Sequence, residues 1–188
     1  MPTTRLVLLG LFVTACSPGD SRGPAAELPA PHAAAIRDSV RTFLDAYAAD
    51  VSAPPIGKKA REATAPFFAP EIVMSTDLGP EEPILIQTVD SLIPADEIVS
   101  APPWIKSTRV EWKTLVITPL APGLAGFAGK YAEHVTDTTG TVTELPGVQQ
   151  GVVRNGPNGW RFLQIQSSHP PLMHQRQAEL MARMAGTR

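Results

Sequence analysis

Proton transfer on a protein scaffold needs an acid or base held in an apolar cavity, where burial moves its pKa toward the working pH. It also needs a donor to stabilise the charge that develops. Three residues of this sequence have the chemistry to be that acid or base. Glu133 and His134 are neighbours in a run of alternating polar and apolar residues, and Asp90 ends a shorter apolar run. Glu133 shares parity with Phe127 and Tyr131, whereas His134 has the opposite parity, so only one of the two can lie on the aromatic side of a strand. Tyr47, Tyr131 and Trp112 could line a cavity, the tyrosines offering hydroxyls and the indole a flat apolar face. The ordinary account of the charged candidates is an exposed strand residue or a turn cap, and that of Trp112 a core residue.

Other chemistries have less to stand on. His32, His134, His169 and His174 show no paired spacing with carboxylates, so no metal is expected, and no cofactor either. There is no glycine-rich phosphate loop after a strand and no Gly-x-Ser-x-Gly elbow. Ser167-Ser168-His169 is a sequence neighbourhood and not a triad, since triad partners meet by folding. The formal net charge is −2 with acidic and basic residues interspersed, and the absence of a basic stripe argues against nucleic-acid binding.

One residue has a different chemistry. Arg5 supplies the positive charge of an export signal, Leu6 to Val13 its apolar stretch, and Thr14 and Ala15 the small residues before a cut. The apolar run is well short of the ~20 residues that cross a bilayer as a helix. Val13-Thr14-Ala15-Cys16 resembles the lipobox read by lipoprotein signal peptidase, in which the cysteine sulfur accepts a diacylglyceryl group before cleavage. Cys16 is the only cysteine, so no intramolecular disulfide can form, and lipidation gives an odd exported thiol a purpose. At about 0.8 kcal/mol per buried methylene, two or three acyl chains anchor stably where one does not. The expectation is a lipoprotein of the bacterial envelope. Ser17 follows the cysteine, where an aspartate often signals inner-membrane retention in that family, so the outer membrane stays open.

The elements that must position these residues follow from periodicity. Residues 1–15 read as the signal, and residues 16–31 as a Pro/Gly/Ala-rich tether of roughly 3 Å per residue. Ile36, Val40, Phe43, Leu44, Tyr47 and Val51 recur at helical spacing, ended by Pro54-Pro55. A shorter helix is expected from Lys58 towards Phe67-Phe68, two strands over 71–77 and 84–90, and a brief helix over 95–100. In Thr108 to Thr118 the apolar pattern changes phase between Trp112 and Leu115, which predicts a bulge near Lys113. Leu124 to Thr136 is a further strand, Asp137-Thr-Thr-Gly140 a turn, and residues 143–154 and 160–168 a hairpin across Asn155-Gly-Pro-Asn-Gly159. The domain then spans 32–169, with an amphipathic C-terminal helix or tail over 170–188 carrying Met173, Leu180, Met181 and Met184.

Phe67-Phe68-Ala69-Pro70-Glu71-Ile72-Val73 and Gly159-Trp160-Arg161-Phe162-Leu163-Gln164-Ile165-Gln166-Ser167-Ser168 resemble the helix-to-strand exit and the last strand of the nuclear transport factor 2-like superfamily, nearest its SnoaL-like branch. The resemblance covers roughly residues 34–169. It implies an α+β fold in which a curved, mostly antiparallel sheet wraps the N-terminal helices as a cone, with a pocket inside and Asp90 near its mouth. Isomerases, cyclases and dehydratases share that fold with non-catalytic binding and dimerising domains. In many relatives histidines take the alternate polar positions of the last strand. Here those positions are Gln164 and Gln166, which can orient a ligand but cannot exchange a proton near neutral pH. The leading expectation is therefore a lipid-anchored, non-catalytic module binding a small, partly apolar ligand or a protein partner through Tyr47, Trp112, Tyr131, Gln164 and Gln166. The alternatives are an isomerase, cyclase or dehydratase using Glu133, Asp90 or His134, and a structural homodimer. An enclosed cavity with a buried carboxylate facing Tyr47 or Tyr131 would favour the enzyme, a cavity lined only by Gln164, Gln166 and apolar groups would favour binding, and a filled cone with an exposed apolar sheet would favour a structural dimer.

Overall fold

The structure is a computed structural model. It describes residues 28–53, 56–64, 66–76, 84–92, 97–100, 103–170, 175–176, 178–179 and 182. The export signal, Cys16, the tether up to residue 27, Pro54-Pro55 and the C-terminal residues Met173, His174, Leu180, Met181 and Met184 lie outside the described residues.

Helix α1 spans Ala30–Ser52, with proline in its first turn where a missing N–H costs nothing. It buries Val40, Leu44 and Ala48, and the Ala53 N–H closes its last turn on the carbonyls of Ala49 and Asp50. Val51, expected on the same face, is 36% exposed because the helix ends beyond the core. Helix α2 is only Ala60–Thr64, and strand β1 (Phe68–Thr76) begins earlier than expected. Strand β2 is Ile84–Ile86 and helix α3 is Val89–Leu92, so the second strand stops short of Asp90. The brief helix expected over 95–100 is not formed at 97–100, where Ile98 instead bridges Lys59.

Four long strands complete the domain: β3 (Ile105–Ala121), β4 (Leu124–Asp137), β5 (Val142–Gly156) and β6 (Gly159–Ser168). The sheet order is β2-β1-β6-β5-β4-β3, and only the β1–β6 pair is parallel. The bulge lies where the phase change put it. Trp112 pairs with Tyr131 and Thr114 with Lys130, leaving Lys113 as the extra residue, so that Trp112, Leu115 and Ile117 all pack on the core.

Helix α1 lies in the concavity of the sheet. Val40, Leu44, Ile72, Val153, Phe162 and Ile165 are fully buried there, each contributing roughly 1.5–3 kcal/mol of transfer free energy. Phe162 is the hub, with ring centroids 4.9 Å from Phe43, 4.9 Å from Tyr47 and 5.7 Å from both Phe68 and Phe127. A smaller apolar cluster of Val135 and Leu145, covered by Trp104 and Ile105, lies further along β4 and β5. Between the two clusters the inner face of β4 carries Tyr131 and Glu133.

Candidate functional site on the inner face of the sheet

The strand register arranges the inner face in rows. Thr76, Ser167, Gln149, Gly129 and Leu115 form one row from β1 to β3. The next contains Gly147, Tyr131 and Trp112, and the one beyond it Leu145, Glu133 and Val110. His169, two residues past Ser167, follows the end of β6 and is buried. Helix α1 faces this area with Tyr47 and Asp50, while the Trp112 Nε1–H donates to the Leu44 carbonyl (3.2 Å) and the Val110 N–H to Ser52 Oγ (2.7 Å).

Large rings fit on this surface because small residues lie beneath them. A Cβ on Gly129 would come within 2.9 Å of the Trp112 ring, one on Gly147 within 2.6 Å of the Tyr131 ring, and one on Gly151 within 2.9 Å of the Phe127 ring. The rings of β3 and β4 therefore lie across the neighbouring strand instead of standing away from it. Tyr131 in this pose places its hydroxyl 2.8 Å from His169 Nε2.

The electrostatics are those of a polar layer between apolar ones. Burial raises the Glu133 carboxyl above its ordinary range, and the charge of His169 only partly offsets this. Tyr47 is pushed up to about 12, first by burial and then by the charges of Asp50 and Glu133, so its hydroxyl stays a donor at any physiological pH. Burial also raises Asp50. Gln149 Nε2 donates to Ser167 Oγ (3.2 Å), and Thr76 Oγ1 is buried without a hydrogen-bond partner among the described residues. Such a hydroxyl is costly unless something else satisfies it.

Of the residues predicted from sequence, Tyr47, Trp112, Tyr131 and Glu133 come together on the inside. His134 does not. It lies on the outer face, 3.5 Å from Glu111 Oε1 and 4.0 Å from Glu144 Oε2, in a charged group with Arg109 and Lys113. Asp90 is corrected too. It sits in the first turn of α3, exposed, in an ion pair with Arg61 (2.9 Å), because β2 ends four residues before it.

Gln164 and Gln166 also require correction. Both are exposed on the outer face and not inside the cone; there, with Gln150 and apolar residues such as Val116 and Val152, they line a groove of about 330 Å³, and Gln150 Nε2 donates to Gln166 Oε1 (2.9 Å). The cause is a second bulge. Val153 pairs with Phe162 and Val152 with Gln164, so Leu163 is the extra residue. Trp160 and Phe162 point inward before it, Ile165, Ser167 and His169 after it. His169 was missed for the same reason, although continuing the parity of Ile165 would have found it.

A cleft of about 540 Å³ opens at the end of β6, lined mainly by outer-face residues (Lys113, Lys130, Ala132, Glu144, Pro146 and Val148) and reaching Tyr131 and His169 from that side. Its size is within the range of small-molecule sites. Among the described residues no group of three or more His, Cys, Asp or Glu side chains could hold a metal ion.

No protein-family model and no curated protein matches the chain. Solved structures do. A nuclear transport factor 2-like superfamily protein from Salmonella enterica serovar Typhimurium superposes with a TM-score of 0.53 at 11% identity, over 73% of this chain and 92% of its own. A hexachlorocyclohexane dehydrochlorinase (LinA, type 2) gives 0.51 at 11% identity over 71% and 84%. The association domain of C. elegans CaMKII gives 0.50 at 13% identity over 72% and 93%. These proteins share an architecture and not a sequence. With its N-terminal helix held in a curved, six-stranded mixed sheet, the chain has the nuclear transport factor 2-like, cystatin-like α+β fold.

Proposed function

We propose that this domain binds a small, partly apolar molecule on the inner face of its sheet and moves a proton on it. Glu133 is the proton carrier, and Tyr47 and the Tyr131–His169 pair are the polar groups that orient the substrate and stabilise its developing charge. The reaction class is that of an isomerase, cyclase or dehydratase. The observation that carries this reading is the position of Glu133, on the inner face between two apolar clusters, with burial raising its pKa and its charge felt at Tyr47. A carboxyl tuned upward by its surroundings is the general base or acid such chemistry needs. The buried Thr76 hydroxyl and the Gln149–Ser167 pair on the same face support a second reading, binding without chemistry.

The place of action is also part of the proposal. Lipid on Cys16 holds the domain at an envelope membrane through its tether, as the order Val13-Thr14-Ala15-Cys16 supports. The outer sheet face, with exposed Val73, Val116 and Val148 around the uncharged Gln150–Gln166 pair, suits contact with a second copy.

Native mass spectrometry tests these readings together. The Cys16→Ser chain, purified from its host without detergent, is expected to carry a retained small molecule. Incubation in heavy water is expected to exchange an acidic C–H of that molecule, and E133Q to abolish the exchange. Retention without exchange in either protein leaves binding alone. A dimer that retains nothing overturns both pocket readings in favour of a structural role.

A further inference from the structure

Gly147 holds no side chain at the one place on β5 where the Tyr131 ring crosses it. A Cβ there would stand 2.5 Å from the Tyr131 hydroxyl oxygen and 2.6 Å from Cε1, well inside normal contact. The ring is fixed on its other side as well, edge-on to Trp112 with centroids 6.1 Å apart, and Trp112 is itself tied to the Leu44 carbonyl. Across β5 the hydroxyl meets His169 Nε2 at 2.8 Å, the two rings standing at 89°. β6 ends opposite Val148, so His169 lies beside Gly147 where a further strand residue would otherwise pair. The pair thus spans three strands, and its geometry depends on the residue in the middle being glycine.

We infer that Gly147 is a positioning residue: by admitting the Tyr131 ring against β5 it sets the hydrogen bond between the Tyr131 hydroxyl and His169 Nε2, and with it the position of both groups. A larger residue at 147 would lift the ring from the strand and break the bond without touching His169 or Glu133. The inference rests on the reading of this inner face as the functional site, and it makes the site's geometry depend on a backbone position that bears no functional group.

The test reads His169 directly. Two-bond ¹H–¹⁵N spectra of the imidazole report the state of each ring nitrogen and need no substrate. Tyr131→Phe, which keeps the ring and removes the hydroxyl, is expected to displace the Nε2 resonance. Gly147→Ala is expected to displace it in the same direction and to a similar extent. Gly126→Ala serves as control, since a Cβ there meets nothing closer than 3.8 Å. It is expected to leave the resonance in place.

Should Gly147→Ala fail to fold, the Tyr131→Ala background decides the matter. Removal of the ring makes room, so the double variant is expected to melt with Tyr131→Ala itself. Unfolding in both backgrounds, or a folded Gly147→Ala with an unmoved His169 resonance, overturns the inference. So does a Tyr131→Phe spectrum identical to the parent. None of these readouts depends on turnover. A proton-exchange experiment that fails while His169 responds as expected counts against the catalytic reading alone.

Discussion

At the residue scale the carboxyl of Glu133 gives the sharpest prediction, because its sign is fixed by physics. Burial raises its pKa in the folded state above the unfolded value. Between the two values the folded chain binds more protons than the unfolded one, so stability falls as pH rises through that window. The favourable contribution is complete below the unfolded value and lost above the folded one. Glu133→Gln removes the titration and keeps the shape. Its melting temperature is therefore expected to match the parent's in acid and to exceed it progressively as pH rises past the ordinary glutamate range, followed by thermal unfolding at a series of pH values. Parallel curves for the two proteins would mean that Glu133 is solvated.

The candidate site was only partly legible from residue types. Glu133 and Tyr131 could be set on one face because alternation in β4 is unbroken, but which face is concave was open until the register and α1 fixed it. Gln164, Gln166 and His169 were misjudged because β6 contains an extra residue, Leu163, and a one-residue slip exchanges the two faces of a strand. Asp90 was misplaced because a short apolar run does not distinguish a strand from a helical turn.

At the scale of elements, α1 and the four long strands could be read in advance, since each carries enough periodic residues to dominate local ambiguity. The bulge at Lys113 was legible because apolar side chains flank it on both sides and record the change of phase; at Leu163 the extra residue is itself apolar and shares parity with Ile165, which masks the change of phase after Phe162. The short elements α2, β2 and α3 owe their form to contacts with the rest of the fold, such as the Gly57 and Ala60 N–H groups donating to the carbonyls of Val99 and Glu97. Helix α1 is the part on which the inner face depends. Leu44 is fully buried, and its carbonyl holds Trp112. Leu44→Ala is expected to cost about 2–5 kcal/mol in urea unfolding. It is also expected to loosen the Trp112 ring, visible as a red shift of its emission. A loss below about 1 kcal/mol would show that the helix packs on the sheet less tightly than the buried surface requires.

At the scale of the whole molecule, the anchor and the domain make separate predictions. Cys16→Ser is expected to move the protein from the membrane fraction to the soluble fraction of the envelope while leaving its circular dichroism unchanged. Retention of the variant on membranes would point to another means of attachment. Among the described residues no helix is long and apolar enough to cross a membrane. The fold itself was readable from the order of elements and two short motifs, whereas the reaction was not, because this architecture fixes a concave face and leaves its chemistry to a few side chains.

The length of α1 adds a point about direction. Its first turn, where the tether joins, lies beside the β3–β4 and β5–β6 turns, with His32 and Ile36 bordering the same cleft as Pro122, Gly123 and Asn155. Tyr47 is seventeen residues further on, about 25 Å along the axis at 1.5 Å per residue. The helix thus separates the end where the preceding chain enters from the polar layer of Tyr47 and Glu133. Under the proposed reading, a molecule at Glu133 stands about 25 Å from the end of the domain that the preceding chain enters, so the site faces away from whatever that chain is fixed to.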